Sequence, residues 1–211
     1  MGKPKFILFS LFFATCFYSF TLASYNLDTP LSNMVRDQIK LEMQASLFYQ
    51  TYGHYFESSD QALHGFAKYF TDQSLEEKKH ADKLMTYLNQ RNVQVKTLSE
   101  VPEFCPKLKF KKLCNFITGN KTKSDLNIDI PLTAVQNAID LEEKVFDELE
   151  KIADGSDAQL SHFIEHEYLD EQIESIKELK DYETQLTKIN GSYIGVLLLD
   201  RWLMEGKQNK L

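Results

Sequence analysis

The sequence predicts an all-α fold: a bundle of four long helices with one long crossover and a short fifth helix at the C-terminus. Three observations carry this. Glycine and proline are scarce, at 8 and 5 of 211 residues, while phenylalanine and tyrosine number 15 and 10; that composition suits long helices better than a loop-rich or all-β chain. Four segments repeat apolar residues at spacings of three and four, as helices with one buried face require. Two of the links between them are short and one is about 40 residues long, enough to run the length of a bundle. A chain of 211 residues suits one domain with a sizeable core.

The chain opens with a segment outside the fold. Lys3 and Lys5 precede a nearly unbroken apolar run from Phe6 to Phe20, and Thr21-Leu22-Ala23 supplies small residues at cleavage spacing. This reads as a secretory signal peptide over 1–23, too short for a comfortable membrane span, with the mature domain over 24–211. Losing the two lysines takes the net charge from −7 to −9. Such a balance argues against a nucleic-acid surface, and no later apolar run is long enough to span a bilayer.

The first helix is expected from about Ser32 to Phe56 and the second from about Ser59 to Gln90. The crossover covers 92–130. It holds Cys105 and Cys114, a candidate bridge in an oxidising compartment, and the glycosylation sequon Asn120-Lys121-Thr122. Pro131 suits the first turn of the third helix, which ends near Ala153. Gly155-Ser156-Asp157 supplies a turn and a helix cap. The fourth helix runs to about Ile189, where Asn190-Gly191-Ser192, a second sequon, breaks it. A short helix from Tyr193 to Met204 closes the chain.

Each buried stripe is interrupted by polar groups. Helix one gives Glu42, Ala45, Tyr49, Tyr52 and Phe56; helix two gives Phe66, Phe70, Gln73, Glu77, His80, Leu84 and Tyr87. Helix three gives Val135, Ile139, Glu142, Val145, Leu149 and Ile152; helix four gives Leu169, Gln172, Ile176, Leu179 and Leu186. Glu42 lies about 15 residues before the first turn and Glu77 about 17 after it; Glu142 lies about 12 before the second and Gln172 about 15 after it. At about 1.5 Å per residue, each pair meets at nearly one level. No Lys or Arg on these stripes neutralises the three carboxylates, and one uncompensated buried charge costs on the order of several kcal/mol. A divalent cation would compensate them. Glu77-x-x-His80 sets a carboxylate and an imidazole on one helix face, an element of bundle di-iron sites. This mixed donor set suits iron, manganese or zinc better than calcium.

At this point the residues resemble the ferritin family. The carriers are Ile39-Lys40-Leu41-Glu42-Met43-Gln44-Ala45-Ser46, Phe66-Ala67-Lys68-Tyr69-Phe70, Glu76-Glu77-Lys78-Lys79-His80-Ala81-Asp82-Lys83-Leu84 and Tyr168-Leu169-Asp170-Glu171-Gln172. The likeness runs from about Pro30 to Glu205. It implies a ferritin-like four-helix bundle. It also implies a heavy-type subunit that oxidises Fe(II) with dioxygen and stores ferric mineral in a homo- or hetero-oligomeric shell of 24 subunits. The family's iron ligands match Glu42, Glu77, His80 and Glu142, with Gln172 as a weaker ligand. Tyr49 matches a partner of the site, and plain packing is its other reading.

Several positions depart from the family pattern. Lys79 stands between Glu76 and Asp82 on the inner surface, where an acidic residue is usual for mineral nucleation. His162 replaces an Asp beside Glu165 at the three-fold channel, with Glu150 near by. Trp202 lies on the last helix, which lines the four-fold axis in the family. The crossover is longer than the family's usual loop. Two other classes compete with the oxidising subunit. One is a non-catalytic structural subunit that co-assembles with another chain; the other is a secreted helical signalling protein. The six site residues disfavour the first, and polar groups interrupting every stripe disfavour the second.

Overall fold

A computed structural model describes residues 25–95 and 130–205 of the chain. The signal segment, both crossover cysteines and the Asn120 sequon lie outside the described residues. Among the described residues every regular element is helical: α1 Thr29–Glu57, α2 His64–Gln90, α3 Ile130–Gly155, α4 Ala158–Ile164, a π turn Glu165–Leu169, α5 Asp170–Ile189 and α6 Tyr193–Glu205. The residues from α4 through the π turn into α5 keep helical backbone angles, so these three pieces form one rod. With α1, α2 and α3 it makes the expected four-helix bundle. α1 packs on α2 and α3, α3 packs on α5, and α6 docks against α2.

Local chemistry sets the helix ends. Asp28 caps α1 by accepting from Leu31 N at 2.9 Å, and Pro30 sits in the first turn. The helix therefore starts three residues earlier than the periodicity suggests. Asp157 caps α4 through Gln159 N at 3.1 Å and Leu160 N at 3.0 Å, as expected. The second helix, in contrast, begins at His64 rather than near Ser59. Residues 58–63 are spent on the turn: Leu63 N donates to Phe56 O at 3.1 Å, and Ala62 takes a left-handed backbone with φ 50°. Asn190 ends α5 in the same left-handed region, at φ 48°.

The core is strongly aromatic near the α1–α2 turn. Tyr49, Tyr52 and Phe56 of α1 meet Phe70 of α2 with ring centroids 5.3–5.8 Å apart. Every inward residue expected on α1, α2 and α3 is buried. On the fourth rod Gln172, Leu179 and Leu186 are buried, but Leu169 and Ile176 are only half-buried. Leu160, Ile164, Tyr168 and Gln172 face inward instead. Their spacing is four residues each time, and an α-helix drifts by about 40° at each such step. The wider π turn absorbs that drift and keeps Tyr168 and Gln172 facing the core.

The N-terminus of α2 has no cap of its own, because Leu63 offers no side-chain oxygen. Asp200 of α6 supplies one, its Oδ1 accepting from Phe66 N at 2.9 Å. Gly65 permits the approach: a Cβ there would lie 1.7 Å from Asp200 O. Asp200→Ala is expected to cost about 1 kcal/mol, the usual value of a lost cap. Gly65→Ala is expected to cost more and to expose α6 to protease. Thermal unfolding and limited proteolysis check both; a Gly65→Ala protein of wild-type stability would contradict the docking.

Candidate metal centre

The four rods bring the inward polar residues together halfway along the bundle. Glu42, Glu77, His80, Glu142 and Gln172 are each no more than 6 % exposed, and Tyr49 is fully buried. They form two adjoining groups. In the first, one donor atom from each of Glu42, Glu77 and His80 lies within 4.8 Å of the others. In the second, Glu142 accepts from Tyr49 OH through Oε1 and from the Gln172 amide through Oε2. That amide also reaches Glu142 O at 3.3 Å. Glu77 feels the charge of Glu142, which links the groups electrostatically.

The first group is the chemically unfinished one. Glu42 Oε2, Glu77 Oε2 and His80 Nδ1 are buried without a hydrogen-bond partner. Buried polar atoms are ordinarily paired, so three orphans converging from two helices need an explanation. Each has a lone pair suited to a metal ion, and His80 Nδ1 stands 3.5 Å from Glu77 Oε2. The neighbouring atoms are already engaged. Gln38 Nε2 donates to Glu42 Oε1 at 2.7 Å, and His80 Nε2 lies 3.2 Å from Glu171 Oε2. A ligating imidazole commonly gives its other N–H to a carboxylate, which fixes ring and tautomer. Glu171 stands in that relation to His80.

Electrostatics agree with a missing positive charge. Burial pushes the carboxyl of Glu42 well above its ordinary range, and the charge of Glu77 adds to it. Burial first, then the charge of Glu142, raises Glu77; burial also raises Glu142, against the hydrogen bonds from Tyr49 and Gln172. For His80 burial lowers the pKa, but the hydrogen bond to Glu171 and the charge of Glu42 outweigh it, and the net direction is upward. Burial and the charge of Glu142 raise the Tyr49 phenol, so it stays a proton donor. Among the described residues the one buried Lys or Arg is Arg91, held by Asp157 past the end of α2. It belongs to the staple between α2 and the α3–α4 turn. The donors fit a divalent ion of the iron and zinc type, with two carboxylates and an imidazole on one side and a carboxylate and an amide on the other.

Comparisons with known proteins point to one family. The family profile described as Ferritin, Ferritin-like domain, matches residues 33–189. The chain is 36% identical over 171 residues to "Soma ferritin" of Lymnaea stagnalis, covering 79% of this chain and 86% of that protein. It is 35% identical over 179 residues to "Ferritin-1 heavy chain" of Schistosoma mansoni, covering 82% and 90%. It is 34% identical over 191 residues to "Ferritin, chloroplastic" of Malus baccata var. xiaojinensis, covering 88% and 69%. The chain belongs to the ferritin family. Ferritins bind iron and store it within oligomeric shells, and the bundle described above is the ferritin-like fold.

Among the described residues Lys79, His162 and Trp202, three departures from the family pattern, lie at the surface. Lys79 and Asp82 are exposed, while Glu76 is half-buried and accepts from Gln73 Nε2 at 3.2 Å. His162, Glu165 and Glu150 are exposed; the rings of His162 and His166 stack at 5.9 Å. Trp202 is 55 % exposed on α6. Three residues around the centre escaped the sequence reading. Gln38 lies one turn before the first residue of the helix-one stripe, Glu171 stands beside Gln172, and Tyr168 is the sequence neighbour of Leu169. The i,i+4 pair Gln38–Glu42 was the available signal for the first.

The raised carboxyl pKa values have a signed consequence. A carboxyl whose folded pKa exceeds its unfolded value favours the fold fully below the unfolded value, near 4.5. That contribution is lost as pH rises through the folded value. In metal-free protein, Glu42→Gln removes one such group. It is expected to raise stability at pH 7.5 by on the order of 1 kcal/mol, roughly 2–4 °C in Tm, with the gain vanishing toward pH 4.5. Calorimetry across that range checks it; a pH-independent effect would contradict the assignment.

Proposed function

We propose that this ferritin chain is a heavy-type subunit that oxidises Fe(II) with dioxygen at the centre inside its bundle and passes ferric iron to a mineral store. The observation that carries this reading is the set of three buried, unpaired lone pairs on Glu42, Glu77 and His80. Iron is the substrate. Glu42 and His80 hold one Fe(II), Glu142 and more weakly Gln172 hold a second, and Glu77 bridges them. Each Fe(II) gives one electron, and one dioxygen takes both and, with two protons from water, leaves as hydrogen peroxide. The neutral Gln172 amide binds less strongly than a carboxylate would, which lets the second ion leave after oxidation. Metal binding competes with the protons that Glu42 and Glu77 retain in the empty pocket, so uptake strengthens as pH rises. Tyr49 holds Glu142 by donating its phenol proton. The relative named a heavy chain supports the subunit type.

The shell is of one or two chain types, with 24 subunits as the resemblance implies. No helix among the described residues is long and apolar enough to cross a membrane. The Lys3 to Ala23 segment supports a secretory route with cleavage near Ser24, and the Asn120 sequon in the long crossover 92–130 supports a glycan on the shell's outside.

The test is aerobic Fe(II) oxidation by assembled mature protein, followed as ferric absorbance, beside a Glu77→Lys, His80→Gly variant. Fast oxidation that the double change lowers at least 10-fold is expected. Oxidation no faster than buffer, in a correctly assembled shell, would overturn the enzyme reading and favour the structural subunit. Protein for the assay, harvested from the medium of secreting animal cells, is expected to begin near Ser24 and to lose gel mobility to a glycan at Asn120. Retention inside the cell with Met1 intact would overturn the secretory reading.

A further inference from the structure

We propose that Gln38 is a positioning residue for the metal centre: its side-chain amide pins one oxygen of Glu42, so that Glu42 presents the other oxygen alone to the ion. This rests on the reading of Glu42, Glu77 and His80 as metal ligands.

The geometry is local to α1. Gln38 and Glu42 are one turn apart on the inward face, at 2 % and 0 % exposure, a spacing at which helix side chains meet. Gln38 Nε2 donates to Glu42 Oε1 at 2.7 Å. Glu42 Oε2 has no partner and is one of the three converging orphans. A free carboxylate can bind a metal through one oxygen or both. With Oε1 held by a donor, the one-oxygen mode is selected before any ion arrives. That matters for a centre that must also release its cargo, because a carboxylate clamped through both oxygens would add a ligand atom.

The direction of the amide follows from charge. Its alternative orientation would set the Gln38 carbonyl against the Glu42 carboxylate, two acceptors face to face. The NH2 group therefore faces Glu42, and Gln38 Oε1 is left buried without a partner. Leaving that carbonyl unsatisfied has a cost, so nothing in packing or solvation alone recommends an amide at this position. An apolar side chain of the same length would avoid the cost and lose only the pin. Donor and acceptor share one helix, so the pin does not depend on how the four rods settle against each other.

The test uses redox-inert metals on the full assembled protein. Gln38 also lines a groove of about 320 Å³ between α1 and α3, and truncation there would let water into the centre, so the variant is Gln38→Met, which keeps the length. Zn²⁺ titration calorimetry reads affinity and the Co²⁺ absorption spectrum reads coordination. Gln38→Met is expected to change the affinity of the Glu42–Glu77–His80 site about 10-fold and to alter the Co²⁺ bands. In a Glu42→Ala background, the same change is expected to move affinity less than 2-fold, because no side-chain oxygen is left for Gln38 to hold. Wild-type affinity and an unchanged Co²⁺ spectrum in Gln38→Met would overturn the inference alone. An equal change in the Glu42→Ala background would overturn it too, by showing an effect that does not pass through Glu42. Wild-type protein that takes up no Zn²⁺ at these residues would overturn the inference and the metal-centre reading together.

Discussion

Three carboxyl groups buried at one level of a helical bundle, with no buried Lys or Arg beside them among the described residues, set the terms for everything else in this molecule. A bundle of this size has ample apolar side chains to fill its centre, and the rest of the stripes use them. Ionised carboxylates in that setting are strongly unfavourable unless a positive charge joins them. The metal-free pocket meets the problem by raising the pKa of Glu42, Glu77 and Glu142, chiefly through burial. It also spends the available hydrogen bonds on some oxygens and leaves others bare. The bare atoms are the informative ones, because they converge. A divalent ion would supply positive charge and take those lone pairs at once.

The fold serves that point in space. Glu42 comes from α1, Glu77 and His80 from α2, Glu142 from α3 and Gln172 from α5, so no pair of helices alone assembles the centre. The aromatic layer of Tyr49, Tyr52, Phe56, Phe66 and Phe70 fixes α1 against α2 on one side of it. On the other side Tyr168 OH donates to His80 O at 2.9 Å, tying the π turn to the backbone of α2. The π turn thus does two things: it keeps Gln172 inward and it braces the helix that carries His80. The Arg91–Asp157 staple and the Tyr87–Phe163 stack at 4.4 Å close the bundle end beyond.

Much of this was readable from residue spacing. The inward positions of α1, α2 and α3, the turn at Asp157 and the short last helix follow from periodicity and capping chemistry that act within a few residues. The same holds for the level at which Glu42 meets Glu77 and Glu142 meets Gln172, since helix rise is constant. What escaped was set by contacts between distant segments. The start of α2 depends on Asp200, which lies 134 residues away in sequence, so a cap search near Ser59 had nothing to find. The π turn depends on Tyr168 reaching α2. Its trace in the sequence is the run of spacings of four from Leu160 to Gln172, which a three-and-four template passes over. Glu171 was invisible for a different reason: it stands 43 % exposed in its side chain, off the inward stripe, and only the orientation of the His80 ring brings it into the centre.

The proposed function requires the unpaired atoms of Glu42, Glu77 and His80 to be metal ligands and not a tolerated defect of packing. Crystals of the assembled protein grown with Zn²⁺ or Co²⁺, with diffraction measured on either side of the metal absorption edge, test this directly. The account predicts an anomalous peak inside the bundle, about 2.0–2.2 Å from Glu42 Oε2, Glu77 Oε2 and His80 Nδ1, and a weaker one beside Glu142. Peaks confined to exposed carboxylates and histidines, with the buried trio empty at saturating metal, would contradict it.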